Sequence, residues 1–168
     1  MDFKIDDMAV YPAHGVGKIT GIETLDFDGA ETTFYVMEII ENGLVIRVPV
    51  KKAKDIGMRR VIEPSYIKKV YAILKDRDIP ADNQTWNRRY REYMARIKTG
   101  DPLEVGKVLR DLALLRQSKT LSFGERKMFD QARSLLVQEL AVARDEEDSV
   151  IEKEIDKIFS NEEESEDE

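Results

Sequence analysis

The stretch Leu44-Val45-Ile46-Arg47-Val48-Pro49-Val50 alternates without a break. Leu44, Ile46, Val48 and Val50 fall on one face of an extended chain, and Val45, Arg47 and Pro49 on the other. It follows Asn42-Gly43, a tight-turn signal, and Asp28-Gly29 upstream is a second one. Between the two turns lies Thr32–Ile40, rich in β-branched and aromatic residues. Met8–Tyr11 and Val16–Glu23 are further short apolar runs, the first stopped by Pro12. Short strands joined by tight turns over about 60 residues predict a compact SH3- or Tudor-like β-barrel. Pro49 lacks an N–H and so belongs on an edge strand. Two readings of it stand: the edge receives a strand from another protein, or Pro49 ends the strand and guards the edge.

Beyond Glu63 the apolar period becomes helical. Pro64 opens a helix through Tyr66, Ile67, Val70, Tyr71, Ile73 and Leu74 that ends near Asp78-Ile79-Pro80. A polar loop, Pro80–Gln84, leads to Thr85, a candidate N-cap for a helix over Trp86–Lys98 that stops at Thr99-Gly100. Asp101-Pro102 starts a third helix. Ser122-Phe123-Gly124-Glu125 is a capping box opening a fourth that reaches about Arg144. A short fifth spans about Ser149–Phe159, and the acidic end Asn161–Glu168 is expected to be disordered. The expected class is α+β in two domains: a β domain over 1–60, an all-α domain of about five helices over 61–160, and a tail over 161–168.

The net charge of −7 hides an asymmetry. Residues 145–168 hold 13 acids and two lysines, a net of −11; the remaining 144 hold 25 basic and 21 acidic residues, a net of +4. The folded body is therefore mildly basic, compatible with nucleic acid. The absence of cysteine removes disulfides, thiol catalysis and cysteine–zinc sites. No apolar run approaches a membrane span and the start lacks signal-peptide character, so a cytoplasmic location is expected.

Enzyme-like fragments lack their settings. Ser65–Lys68 fits S-x-x-K and Lys98-Thr99-Gly100 fits K-T-G, but the latter closes a helix where the β-lactamase motif needs a strand. Gly15-Val16-Gly17 lacks the third glycine of a dinucleotide loop. His14 is the only histidine. No catalytic constellation, metal site or cofactor is expected.

One segment carries recognisable chemistry. Trp86–Lys98 holds Arg88, Arg89, Arg91, Arg96 and Lys98 against Glu92 alone, a net of +4. Trp86, Tyr90, Tyr93, Met94 and Ile97 form an apolar stripe at helical spacing. Tyr90, Tyr93 and Ile97 are read as its packed side. Arginine forks fit phosphate oxygens, and the only tryptophan heads the helix, where a ring can wedge against base steps. Arg126-Lys127 after Phe123 repeats the aromatic-then-basic order. If the two helix starts lie side by side they form one surface, with Met94 at its seam. The alternative is an adaptor that binds protein only, with Trp86 buried.

The sequence resembles the CarD/CdnL family of bacterial RNA polymerase-binding transcription regulators. The resemblance spans residues 2–159 and rests on Ala9-Val10-Tyr11-Pro12 with Gly15, Val48-Pro49, Thr85–Tyr90, Lys98–Asp101, Val108–Leu112 and Leu121–Met128. It implies a Tudor-like domain that pairs a strand with the RNA polymerase β subunit, and a helical domain that reaches promoter DNA at the upstream edge of the transcription bubble. It implies action with the housekeeping sigma factor, stabilisation of the open promoter complex, notably at ribosomal RNA promoters, and no enzymatic activity. A monomer is expected. By resemblance Trp86 is a minor-groove wedge, and Arg88, Arg89, Arg91 and Lys127 face DNA. Met94 and Phe123 match an exposed functional patch, and Met37, Arg47 and Pro49 the polymerase-facing region. Leu25 stands where some members have a basic residue, which leaves more of the charge contact to Arg47.

Overall fold

The computed structural model describes residues 2–79 and 85–164. The loop expected at Pro80–Gln84 lies outside the described residues, as do 165–168. The chain divides into two compact units, Met1–Val61 and Ile62–Glu168.

The first unit is one antiparallel sheet of β1 (Met8–Tyr11), β2 (Gly15–Phe27), β3 (Ala30–Ile39), β4 (Val45–Pro49) and β5 (Arg59–Arg60), in the order β4-β3-β2-β1-β5. β4 is thus an edge strand, as Pro49 requires. The two-residue turn Asp28-Gly29 has positive φ at both positions (51° and 82°), the backbone sense that matches strand twist. It lets β2 and β3 continue four residues past Glu23. The register shifts between Ile19 and Gly21, a bulge that bends the long hairpin. Tyr35, Met37 and Ile39, every second residue of β3, meet Phe3, Ala9, Ile19, Val48, Ala53 and Met58 in the core. The Tyr35 hydroxyl accepts from the Asp2 and Phe3 N–H groups at 3.1 and 3.4 Å, tying down the N-terminal segment. Two elements go beyond the expected set. The short helix α1 (Ala53–Ile56) ends on Gly57 at φ 95°, and β5 pairs with Ala9 and Val10. Four residues and two residues are too short to carry a periodic signal.

The second unit contains α2 (Ile67–Lys75), α3 (Trp86–Lys98), α4 (Pro102–Ser118), α5 (Phe123–Arg144) and α6 (Asp148–Glu164). α4 packs against α2, α3 and α5, and α6 packs against α5 and α2. Val105, Val108, Leu109 and Leu112 of α4 are fully or nearly fully buried, with Leu136 and Leu140 of α5 and Ile151 and Ile155 of α6. Asp101 accepts from the Leu103 N–H at 2.9 Å, and Ser122 and Glu125 form the reciprocal capping box. Thr85 has N-cap backbone geometry but makes no side-chain cap bond. The expectation that Pro64 begins an α-helix is corrected: Pro64–Tyr66 is a 3-10 turn. Of the tail expected to be disordered, residues 161–164 are helical, while 165–168 lie outside the described residues. α6 continues to Glu164, past the point at Phe159 where apolar spacing stops. Asp148 and the core contacts of Ile151, Ile155 and Phe159 anchor a helix that glutamates, good helix formers, extend.

Candidate nucleic-acid interface

The starts of α3 and α5 lie side by side. A Cβ on Gly124 would sit 3.4 Å from Trp86 Cζ2 and 3.5 Å from Trp86 Nε1, so one edge of the indole rests on the first turn of α5. A glycine there costs roughly 1 kcal/mol of helix propensity relative to alanine. Tyr90 also meets the ring edge-on, with centroids 5.8 Å apart. Trp86 is half-buried. Tyr90, expected on the packed side with Tyr93 and Ile97, is instead 45% exposed, whereas those two are buried. One turn after Trp86, it faces outward beside the indole because the Gly124 turn occupies the inner position.

Phe123, one residue before Gly124, is 84% exposed and projects from the joint. Arg88 and Arg91 on α3 and Arg126 and Lys127 on α5 are exposed on the two helices that meet there, and Met94 is half-buried further along α3. None of these four cations has a carboxylate within 4 Å among the described residues. By contrast Arg96 pairs with Glu104, Arg110 with Asp76 and Asp111, Arg133 with Asp156, and Arg144 with Glu146 and Glu154. Arg88, Arg91, Arg126 and Lys127 are thus exposed cations without acidic partners among the described residues, on the two helices whose starts meet at the aromatic joint.

Arg89 departs from its expected place facing DNA. Its side chain is only 15% exposed and Nη1 lies 3.9 Å from Glu125 Oε2. Three residues from Trp86 on the helix, it falls on the inner side, where the buried Glu125 carboxylate receives it. Glu125 joins three segments. Its Oε1 accepts from the Ser122 N–H at 2.9 Å and lies 3.0 Å from Lys119 Nζ. Burial pushes this carboxyl up, but the Ser122 N–H and the Lys119 ammonium outweigh that and hold it below its usual range. Neither Gly124 nor Glu125 was singled out for this joint from sequence. A glycine inside the first turn of a strongly capped helix was the available sign.

In the first unit, Met37 is corrected from a partner-facing to a core residue. It is 0% exposed, because β3 directs it with Tyr35 and Ile39 into the core. It lies opposite Ile46, so it and Arg47 point to opposite faces. Arg47 is about half-exposed on β4 and its Nε donates to Glu23 at 3.2 Å. Pro49 closes β4 opposite Phe34. Leu25 is exposed on β2. Among the described residues no group of three or more His, Cys, Asp or Glu is placed to hold a metal. No helix there is long and apolar enough to cross a membrane.

Residues 3–62 match the CarD-like/TRCF RID domain, and residues 69–156 match the CarD C-terminal domain. The chain belongs to the CarD/CdnL family. A curated relative, "Putative transcription factor YdeB" of Bacillus subtilis (strain 168), is 32% identical over 146 residues, 84% of this chain and 92% of that protein. Two solved structures from Myxococcus xanthus are similar to the first unit. The N-terminal domain of CarD is 34% identical, covering 34% of this chain and 77% of that one, with a TM-score of 0.31. The CdnL N-terminal fragment is 44% identical, covering 37% and 87%, with a TM-score of 0.32. CarD/CdnL membership makes this chain a transcription-related regulator of the RNA polymerase-interacting type, and not an enzyme.

Proposed function

We propose that this regulator stabilises the open promoter complex: the first unit holds the RNA polymerase β subunit through β4 while the α3–α5 joint contacts DNA at the upstream edge of the bubble. The observation that carries this reading is that Arg88, Arg91 and Lys127, exposed and without carboxylate partners among the described residues, lie on the two helices whose starts meet at Trp86. Carboxylate-free arginines retain their full fork for phosphate oxygens. The half-buried indole retains exposed surface for a base step, which favours this reading over an adaptor that buries Trp86 completely. The chain acts as a cytoplasmic monomer, with the housekeeping sigma factor and notably at ribosomal RNA promoters. The Tudor-like first unit supplies the tether.

Tethering on polymerase raises the local concentration of the helical unit, so a few cations are sufficient without tight binding to free DNA. The joint shifts the open–closed equilibrium only through differential affinity for the distorted fork. One aromatic–base contact contributes about 1–3 kcal/mol, a shift of about 5- to 150-fold. Trp86→Ala is therefore expected to shorten open-complex lifetime within that range while polymerase binding stays normal. An unchanged lifetime with normal polymerase binding would refute the wedge.

A further inference from the structure

Beside the joint, the end of α4, the connecting loop and the first two turns of α5 line an open groove of about 550 Å³. That is within the roughly 300–1,000 Å³ of small-ligand sites. Its walls include Arg116, Lys119, Thr120, Arg126, Phe129 and Asp130. The Arg116 guanidinium lies 4.6 Å from the centroid of the Phe129 ring, over its face. Phe129 is itself buried in the helical core, so the guanidinium is held on a fixed support. Neither Arg116 nor Arg126 has a carboxylate partner within 4 Å among the described residues. Lys119 uses one of its three donors on Glu125 and is half-exposed.

Three features decide among ligands. A guanidinium plane braced by an aromatic ring is a stacking platform for an unpaired base. The two further cations, Lys119 and Arg126, suit the phosphate attached to such a base. Asp130 would repel a bare inorganic anion, whereas it accepts from the exocyclic amine of a base. A paired base has both faces covered by its stacked neighbours and offers none to the platform. We propose that this groove receives one unpaired nucleotide of a promoter DNA strand, with the base over Arg116 and the phosphate between Lys119 and Arg126. This deepens the DNA-contact reading above and rests on it. The joint then grips the duplex side of the fork and the groove holds a nucleotide released from it.

The chain has no cysteine, so single cysteines can be labelled uniquely. An aryl-azide crosslinker is placed on Thr120→Cys, in the groove wall, and on Asn87→Cys, on exposed α3, in the full chain bound to polymerase on a promoter. The expected result is that the Thr120 label crosslinks DNA in the open complex and not on fully paired promoter DNA, and that Arg116→Gln abolishes this crosslink. Crosslinking from position 87 without any from position 120 would overturn the groove while leaving DNA contact standing. Crosslinking from neither would overturn both. Loss of the position-120 crosslink on addition of excess GTP would reassign the groove to a free nucleotide and overturn the strand assignment. Arg126→Gln is expected to lower the log–log salt slope of open-complex affinity by about 0.7, one single-strand phosphate, with Trp86 fluorescence unchanged. An unchanged slope would remove the phosphate contact.

Discussion

Replacing Glu125 by glutamine separates the two tasks of this residue. The amide oxygen can still accept from the Ser122 N–H, since glutamine also serves at this position of a capping box. What disappears is the negative charge between Lys119 Nζ at 3.0 Å and Arg89 Nη1 at 3.9 Å. A hydrogen bond to a charged group is worth about 1.5–3 kcal/mol. Lys119 is half-exposed, so screening lowers that, and the longer Arg89 pair adds little. The expected loss for Glu125→Gln is about 1–1.5 kcal/mol. Glu125→Ala also loses the cap, about 1 kcal/mol more. Urea unfolding followed by Trp86 fluorescence reads the second unit alone, because the chain's single tryptophan lies there. At a slope of about 1.2 kcal/mol per molar urea, the midpoint should fall by about 1 M for glutamine and about 2 M for alanine. The carboxyl titrates lower in the folded unit than its unfolded value near 4.3. Its contribution is complete above that value and is lost as pH falls through the folded pKa. The deficit of the glutamine variant should therefore shrink on acidification. Equal losses for glutamine and alanine, or a deficit that does not shrink in acid, would refute the assignment of charge as the binding element.

Three further outcomes concern the first unit. Arg47→Glu exchanges a half-exposed ion pair for a like-charge contact with Glu23 and should change stability by no more than about 1 kcal/mol, while polymerase pull-down is lost. Met37→Ala should destabilise the sheet by about 2–5 kcal/mol, read by amide hydrogen exchange. Gly17→Ala places a Cβ 2.6 Å from Met37 Cε and 3.0 Å from the Glu38 carbonyl oxygen. It should cost about 1–3 kcal/mol, with exchange protection falling first across the β2–β3 pairing.

The elements legible in the sequence were those with their own local physics. Asp28-Gly29, Asn42-Gly43 and Ser122–Glu125 each satisfy a backbone requirement within four residues, and each appears where expected. The alternation of Leu44–Val50 and the proline at its end identified an edge strand. Residues whose surroundings come from elsewhere in the chain were less legible. β5 exists because Ala9 and Val10 offer it a partner. Arg89 turns inward because Glu125, 36 positions later, is buried beside it. Tyr90 and Tyr93 have the same aromatic character at helical spacing, and only the packing of α5 against the start of α3 decides which is exposed. Met37 lies in a strand whose pattern permits either face, and the register with Ile19 fixes it inward. Arg116 carried no sign at all, since its platform, Phe129, lies on the next helix.

The edge at β4 has a polarity of its own. The Ile39 N–H donates to the Leu44 carbonyl, while the Leu44 N–H turns back to Asn42 Oδ1 at 2.9 Å. Ile46 and Val48 turn their peptide groups toward β3, and Val45 and Arg47 turn theirs to open solvent. Pro49 has no hydrogen to give, and as the residue capping the 3-10 turn Val50–Lys52 its carbonyl is taken up within that turn, so the solvent side offers donors and acceptors at Val45 and Arg47 only. A visiting strand can be matched in one short register and finds nothing to donate to it beyond Arg47. The same vacancy that ends a legitimate pairing also denies a second copy of this edge the continuous ladder on which sheets propagate into aggregates.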